Sequence, residues 1–500
     1  MNSAEPSIST YEQLPYESNP FHESHPGHLQ AIGYLHGMEP SALATCRVLE
    51  LGCASGGNLI PAAEALPGAT FVGVDLAPNQ IAEGRVIIET LGIKNVQLHA
   101  MSLTEITREW GEFDYIIAHG IYSWVPPEER RRLLEVCKAN LAPGGIAYIS
   151  YNTNPGWRLR GVMRDMLEFG LGAEPGELPV KARLARGRAF TEMIVEAAGD
   201  EESTYSRLLR LEGETILKSP DSYIAHEYME AYHEPLYFQD FAARASECGL
   251  AYLADARFNH RILLVENRLR AMQPDLANDP IRFQQCVDFA FGRQFRRSLL
   301  CHADEAIHSA PDARRLMACH LSARLFAMGE QGNLRQDARV TFQAAGGASF
   351  STGDASLKAA IGVLAESFPS PIPFEAICDC AGTLLRHPLD GSAREALASL
   401  LLGLLQCDFI EARLTPPCFT IGISMRPMAS PLARWQASNG QSIHNRRHRT
   451  VRTLTPADIA VLKLLDGTRD SIVLERETGL SDYQIEQSLQ QLATNALLIG

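Results

Sequence analysis

Glycines and a carboxylate crowd into one short stretch of this chain, VLELGCASGGNL from Val48 to Leu59. Val48, Leu49 and Leu51 read as a buried strand, and Gly52, Gly56 and Gly57 let the backbone turn where a side chain would collide with a ligand. A helix starting near Asn58 would aim its free N–H groups at that ligand. The chemistry implied is the holding of a nucleotide-like molecule. The turn alone leaves open a second reading, since glycine clusters that only pack are common. A second apolar run, TFVGVD, ends in Asp75, about 25 residues after Glu50, where an acid can hold both hydroxyls of a ribose.

These residues need a scaffold, and the pattern around them supplies one. Residues 95–99, 113–118 and 146–151 read as further strands, the last entered through Pro143-Gly144-Gly145. Helical patterns at 58–66, 78–91 and 127–141 alternate with them, as in a doubly wound parallel sheet. Ligands of such sheets sit beyond the carboxyl ends of the strands, where Gly52, Asp75, Ser102 and His119 fall. Residues 238–267 read as helix, strand, strand, with HRILLVEN as the last strand, an antiparallel pair that would finish the sheet.

ELGCASG, VGVD, FDYIIAHG and APGG, in this order, resemble the class I S-adenosylmethionine-dependent methyltransferases. YESNPFHESHP (16–26), HGIYSWVP (119–126), YNTNPGW (151–157), HEYMEAYHEP (226–235) and LDGTRD (465–470) narrow the resemblance to methyltransferases carrying a regulatory domain. That group includes bacterial lysine methyltransferases acting on outer-membrane protein. The resemblance implies an α/β fold: a Rossmann-like doubly wound sheet with a helical insertion, a helical middle domain and a C-terminal winged-helix-like unit.

The cofactor implied is S-adenosyl-L-methionine. Backbone around Glu50, Gly52, Ala54 and Gly56 would meet its methionine moiety, Asp75 its ribose, Leu76 its adenine, and Ser102 and Leu103 the other edge of the base, with His119 at the same strand ends. Ala54 stands where glycine is usual, adding a methyl group to the tightest part of the turn. Residues 1–45 would form a lid, with Tyr16, Phe21 and His25 closest to ligand, although Tyr16 and Phe21 could equally anchor the leader to the domain. Methyl transfer is an in-line displacement that needs an aligned acceptor with a free lone pair. A lysine amine is neutral in only roughly one molecule in a few thousand at pH 7, a fraction that a dry aromatic channel raises. Tyr122, Trp124, Tyr151 and Asn152 are the residues expected to wall such a channel, although Tyr122 and Trp124 could equally pack their loop.

The domain boundaries expected are a lid at 1–45, a catalytic domain at 46–157 and 238–268, and a helical insertion at 158–237 that covers the acceptor or makes a homodimer contact. A helical middle domain at 269–430 and the winged-helix-like unit at 431–500 follow. In that last unit Thr455 and Ser481 open capping boxes, and the helix after Ser481 carries no Lys or Arg to meet phosphate. Only HNRRHRTVR, 444–452, is basic.

With 500 residues and a formal charge of −14, the chain is long enough for several cores and poorly matched to nucleic acid or an anionic membrane as its main partner. No run is long enough to insert in a membrane and the N-terminus lacks signal-peptide features, so a cytoplasmic location is expected. Eleven scattered cysteines with no CxxC pair fit buried thiols. No metal site is expected: Pro26 interrupts the His22, His25, His28 register, and His226 and His233 lack the zinc spacing. A protein acceptor is favoured over a small molecule. A cofactor-binding regulator without catalysis is the reading from another class, and a nicotinamide dehydrogenase is weaker because no Tyr-x-x-x-Lys pair occurs.

Overall fold

A computed structural model describes residues 14–15, 17–172, 179–199, 202–230, 232–328 and 338–500. The apolar runs become β1 (Arg47–Leu51), β2 (Thr70–Asp75), β3 (Val96–Ala100), β4 (Phe113–Ala118), β5 (Leu141–Asn152), β6 (Leu250–Asp255) and β7 (Phe295–His302). They form one seven-stranded sheet in the order β3-β2-β1-β4-β5-β7-β6. β1 through β5 pair in parallel, and β7 runs antiparallel to both β5 and β6. Strand order reverses between β1 and β4, which opens a crevice at their carboxyl ends.

Each face of the sheet buries its own apolar layer, as expected when crossover helices cover both sides of parallel strands. Leu29 and Ile32 of the helix Pro26–Leu35 lie against Tyr115, Ile117 and Tyr148 on one face, together with Leu59, Ala62 and Ile81. On the other, Leu133, Leu134 and Cys137 of the helix Pro127–Asn140 and Phe241 of the helix Phe238–Glu247 pack on Ile116, Ala147 and Ile149. Cys53 is buried in the first layer, a packing thiol pushed well above its usual range by burial.

The strand expected at HRILLVEN is a helix, His260–Met272, and the sheet is finished by β7, beyond the expected boundary at 268. Asn259 caps that helix by accepting from Arg261 N, and none of its side chains is buried, so its apolar run never had a sheet face to fill. β7 reads FRRSLLCH, where two arginines hide the strand pattern. Arg296 is 1% exposed and survives inside because Asp255 and Asp288 each bind it at 2.8 Å.

Four helices, Trp157–Leu171, Val180–Ala197, Thr204–Lys218 and Asp221–Tyr228, share a separate small core around Met163, Leu184 and Ile216. The middle region joins helices such as Gly391–Gln406 to two three-stranded sheets. At the C-terminal end, the helices Pro456–Leu464, Ser471–Thr478 and Asp482–Thr494 enclose Val461, Leu474 and Leu492. Both expected capping boxes are present there, Thr455 with Asp458 and Ser481 with Gln484. No helix of the described residues is long and apolar enough to cross a membrane.

Candidate active site

The glycine-rich turn is shaped by contacts that exclude side chains. Gly52 and Gly56 have φ of +75° and +79°, and a Cβ on Gly52 would fall 2.6 Å from Ile121 Cγ2. Ala54 adopts φ 49°, a left-handed conformation costly for alanine. Its backbone N–H is held at 2.8 Å by Asp75 Oδ2, while Asp75 Oδ1 accepts from Ala77 N at 2.9 Å. Asp75 is thus locked at the tip of β2, with burial raising its carboxyl above the usual range. Leu76 beside it is 43% exposed, an apolar face open to a planar base.

Glu50 is 2% exposed at the end of β1, and burial pushes its carboxyl up to about 8. Oε1 accepts from Asn58 Nδ2 at 2.9 Å, whereas Oε2 is buried without a partner. A buried Glu50 oxygen without a partner, beside a turn with no room for a Cβ at Gly52 or Gly57, fits the ammonium end of a methionine moiety, and the exposed leucine after Asp75 fits the nucleoside end. The residues present therefore suit S-adenosylmethionine. Ser102 caps the short turn Leu103–Glu105, accepting from Thr104 N, and stands with half-buried Leu103 at the end of β3.

The N-terminal leader lies directly on this turn. Ser18 Oγ accepts from Gly57 N at 2.9 Å, and a Cβ on Gly57 would fall 2.2 Å from Ser18 O. Phe21 N donates to Asn58 Oδ1 at 2.9 Å, and His448 Nε2, from the C-terminal unit, donates to the same oxygen at 2.8 Å. Asn58 Nδ2 also donates to Ser24 Oγ at 3.1 Å, so one buried amide ties strand end, leader and C-terminal unit together. Asn58 and His448 were not among the residues singled out in the sequence. In the sequence Asn58 marks only the approximate start of the helix after the turn, which it precedes as the residue before Leu59; nothing local marks His448.

Phe21 stacks on His119, ring centroids 3.6 Å apart, and His119 Nδ1 shares a hydrogen bond of 2.9 Å with the Tyr148 hydroxyl. Burial holds His119 neutral, down to about 3. His25 Nδ1 accepts from Gly27 N to cap the helix Pro26–Leu35, and its ring lies 4.9 Å from His448. The expectation for Tyr16 lies outside the described residues.

At the ends of β4 and β5 the aromatic residues divide. Tyr122 and Tyr151 are 0% and 1% exposed, both packed on Phe241 at 5.3 and 4.2 Å and 6.0 Å from each other, with the Tyr151 hydroxyl sharing a 3.1 Å bond with Ser298. Both belong to the sheet core, which corrects their expected place in a channel wall: alternation along β5 turns Tyr151 away from the face that carries Tyr148 and Asn152, and Tyr122, in the turn after β4, packs its loop onto the same core. Trp124 and Asn152 stay together. Their common partner is His233, whose ring lies 4.3 Å from Trp124 and 4.9 Å from Trp157, and whose Nε2 accepts from Asn152 Nδ2 at 2.9 Å. Burial, with Arg164 and Arg130 nearby, lowers His233 to about 3.

Residues 48–145 match the family model "Methyltransferase domain", residues 220–302 the model "Predicted methyltransferase regulatory domain", and residues 426–478 the model "PKMT, C-terminal winged helix domain". The uncharacterized protein RP028 of Rickettsia prowazekii (strain Madrid E) is 36% identical over 48% of this chain and 94% of its own length. RP789 of the same organism is 38% identical over 60% of this chain and 53% of its own, so the chain spans about half the length of that relative. The structure of PKMT2 from Rickettsia typhi in complex with AdoHcy is similar over 97% of this chain and 100% of that one, with a TM-score of 0.83 and 28% identity. The order of motifs, the sheet, the turn that fits the cofactor and these similarities agree: the chain belongs to the class I S-adenosylmethionine-dependent methyltransferases that carry a methyltransferase regulatory domain.

Proposed function

We propose that this chain transfers methyl groups to the side-chain amine of lysine in a protein acceptor. When bound, S-adenosylmethionine supplies a methyl group on a sulfonium centre. The protein has to hold that group, exclude water and present a neutral amine. The observation that carries the reading is the cluster of Trp124, Trp157, His233 and Asn152, uncharged rings in the segments that leave the carboxyl ends of β4 and β5, with neutral His119 directly after β4. Such surroundings disfavour an ammonium and raise the fraction of free amine. In this reading Trp124 and Asn152 shape the acceptor end, Asp75, Leu76, Glu50 and Ser102 hold the cofactor, and His119 with Phe21 separates the two.

The similarity to PKMT2 over nearly the whole chain supports a protein acceptor. The basic stretch 444–452 supports the exclusion of nucleic acid, because Arg446 is paired with Glu64 at 3.0 Å and Arg447 and Arg449 with Glu411 at 2.8 Å each. We place the activity in the cytoplasm, with the insertion at 158–237 making a homodimer contact or covering the acceptor. Incubation with radiolabelled S-adenosylmethionine and a bacterial lysate tests the acceptor. Label on lysine in a protein band is expected. Label confined to a solvent extract would assign a small-molecule acceptor instead, and none at all despite tight cofactor binding would remove catalysis.

A further inference from the structure

A hairpin of the C-terminal unit, strands Ile443–His444 and Thr450–Val451, reaches the back of the cofactor turn. Its tip is braced: Asn445 Oδ1 accepts from Arg447 N and Arg449 N at 3.1 and 3.0 Å, and His448 between them has φ +60°, a backbone state that histidine and asparagine tolerate better than most side chains. The unit is also docked on the helix Leu59–Ala65 that follows the turn. There Glu64 accepts from Ser430 Oγ at 2.8 Å and from Leu432 N at 3.0 Å, and pairs with Arg446 at 3.0 Å. His448, 4% exposed, is thereby held against Asn58, 6% exposed.

The Asn58 amide has one orientation that satisfies its neighbours. Phe21 N can only donate, so the atom it meets at 2.9 Å is Oδ1, which puts Nδ2 on Glu50 Oε1 at 2.9 Å. His448 Nε2, 2.8 Å from the same Oδ1, must then carry the proton of the ring. Burial, with His444, Arg413 and Arg449 nearby, lowers the ring to about 3, so at neutral pH this is its one N–H. The other two donors to Oδ1, Phe21 N and Ser24 Oγ at 3.3 Å, both belong to the leader. His448 is the donor anchored outside it.

We propose that His448 is a positioning residue for the cofactor: its N–H, held by the C-terminal unit, fixes the Asn58 amide, and the amide fixes Glu50 at the methionine end of the turn. The C-terminal unit is then part of the cofactor site without touching the cofactor. This rests on the reading of Glu50 as a cofactor residue.

Calorimetry of the full chain with S-adenosylhomocysteine tests it, with thermal unfolding to report that each variant is folded. An asparagine amide at 448 stops one carbon short of Asn58, whereas a glutamine amide places an N–H where Nε2 stands. His448→Asn should weaken S-adenosylhomocysteine about fivefold, and His448→Gln should bind it within about twofold of the unchanged chain. Asn58→Ala should weaken it about tenfold, and His448→Asn added to Asn58→Ala should cause no further loss, because its effect runs through the amide. Full affinity in His448→Asn, equal losses in His448→Asn and His448→Gln, or losses that multiply in the double variant would overturn the proposal. Glu50→Gln separates the two readings. A loss there with full affinity in His448→Asn overturns this proposal alone, whereas unchanged affinity in Glu50→Gln removes Glu50 from the cofactor and the proposal with it.

Discussion

The two ends of the candidate site are built differently. At the cofactor end, Glu50, Gly52, Ala54, Asp75 and Leu76 lie within a single strand-turn-helix-strand unit, and the contacts that orient them are mostly backbone amides. At the acceptor end, Trp124, Asn152, Trp157 and His233 come from the ends of two strands, a helix start and a segment 81 residues beyond Asn152. The first end is local and polar, the second long-range and aromatic. Cofactor binding and acceptor handling should therefore separate under mutation, and the leader, tied to both through Phe21, is where they touch.

The largest effect that tests this separation is Asp75→Ala. Losing the ribose acceptor and the brace on Ala54 should weaken S-adenosylhomocysteine about 100-fold by calorimetry, as for the loss of charge-assisted hydrogen bonds. Unchanged affinity would break the comparison at its first term. His233→Ala should cut the methylation rate roughly tenfold or more through lost packing of Trp124 and Trp157, with cofactor affinity unaltered. A parallel loss of cofactor binding would show that the ends are one unit.

Glu50 adds a pH test. Its folded pKa, raised to about 8, lies above the ordinary 4.5, so the folded protein holds a proton there that the unfolded chain has lost. This group's contribution to stability therefore declines as pH rises from about 4.5 to about 8 and is constant above that. A ligand ammonium is best met by the ionised form, so cofactor affinity should rise with pH up to about 8, by at most about tenfold per unit, and Glu50→Gln should flatten that slope. A slope equal in both chains would remove Glu50 from the cofactor end. The smallest effect concerns the correction at β5: Tyr151→Phe should cost about 1 kcal/mol in unfolding free energy by losing the bond to Ser298, with methylation unchanged. A rate loss without a stability loss would return Tyr151 to the channel.

Five parallel strands, three crossover helices and both C-terminal capping boxes were legible in the residues, because each rests on a local run: apolar stretches, glycine at turns, Ser or Thr before a helix. The last strand was not. Arg296 and Arg297 broke its pattern, and only the distant Asp255 and Asp288 make a buried Arg296 tolerable. HRILLVEN shows the converse, an apolar run that an exposed helix uses instead.

The same line divides the site. Sequence alone determined that a cofactor turn exists and where its acid sits, since the turn's chemistry is carried by neighbours a few residues apart. Which aromatic rings gather past the ends of β4 and β5 was decided only in three dimensions: strand alternation sends Tyr151 into the core beneath the sheet and puts Asn152 on the opposite face, while His233 arrives from the segment after the helix Asp221–Tyr228. His448 is the extreme case. Its hydrogen bond to Asn58 joins residues 390 positions apart, and buried amides accept whatever donor the folded chain brings to them, a match that no local pattern encodes.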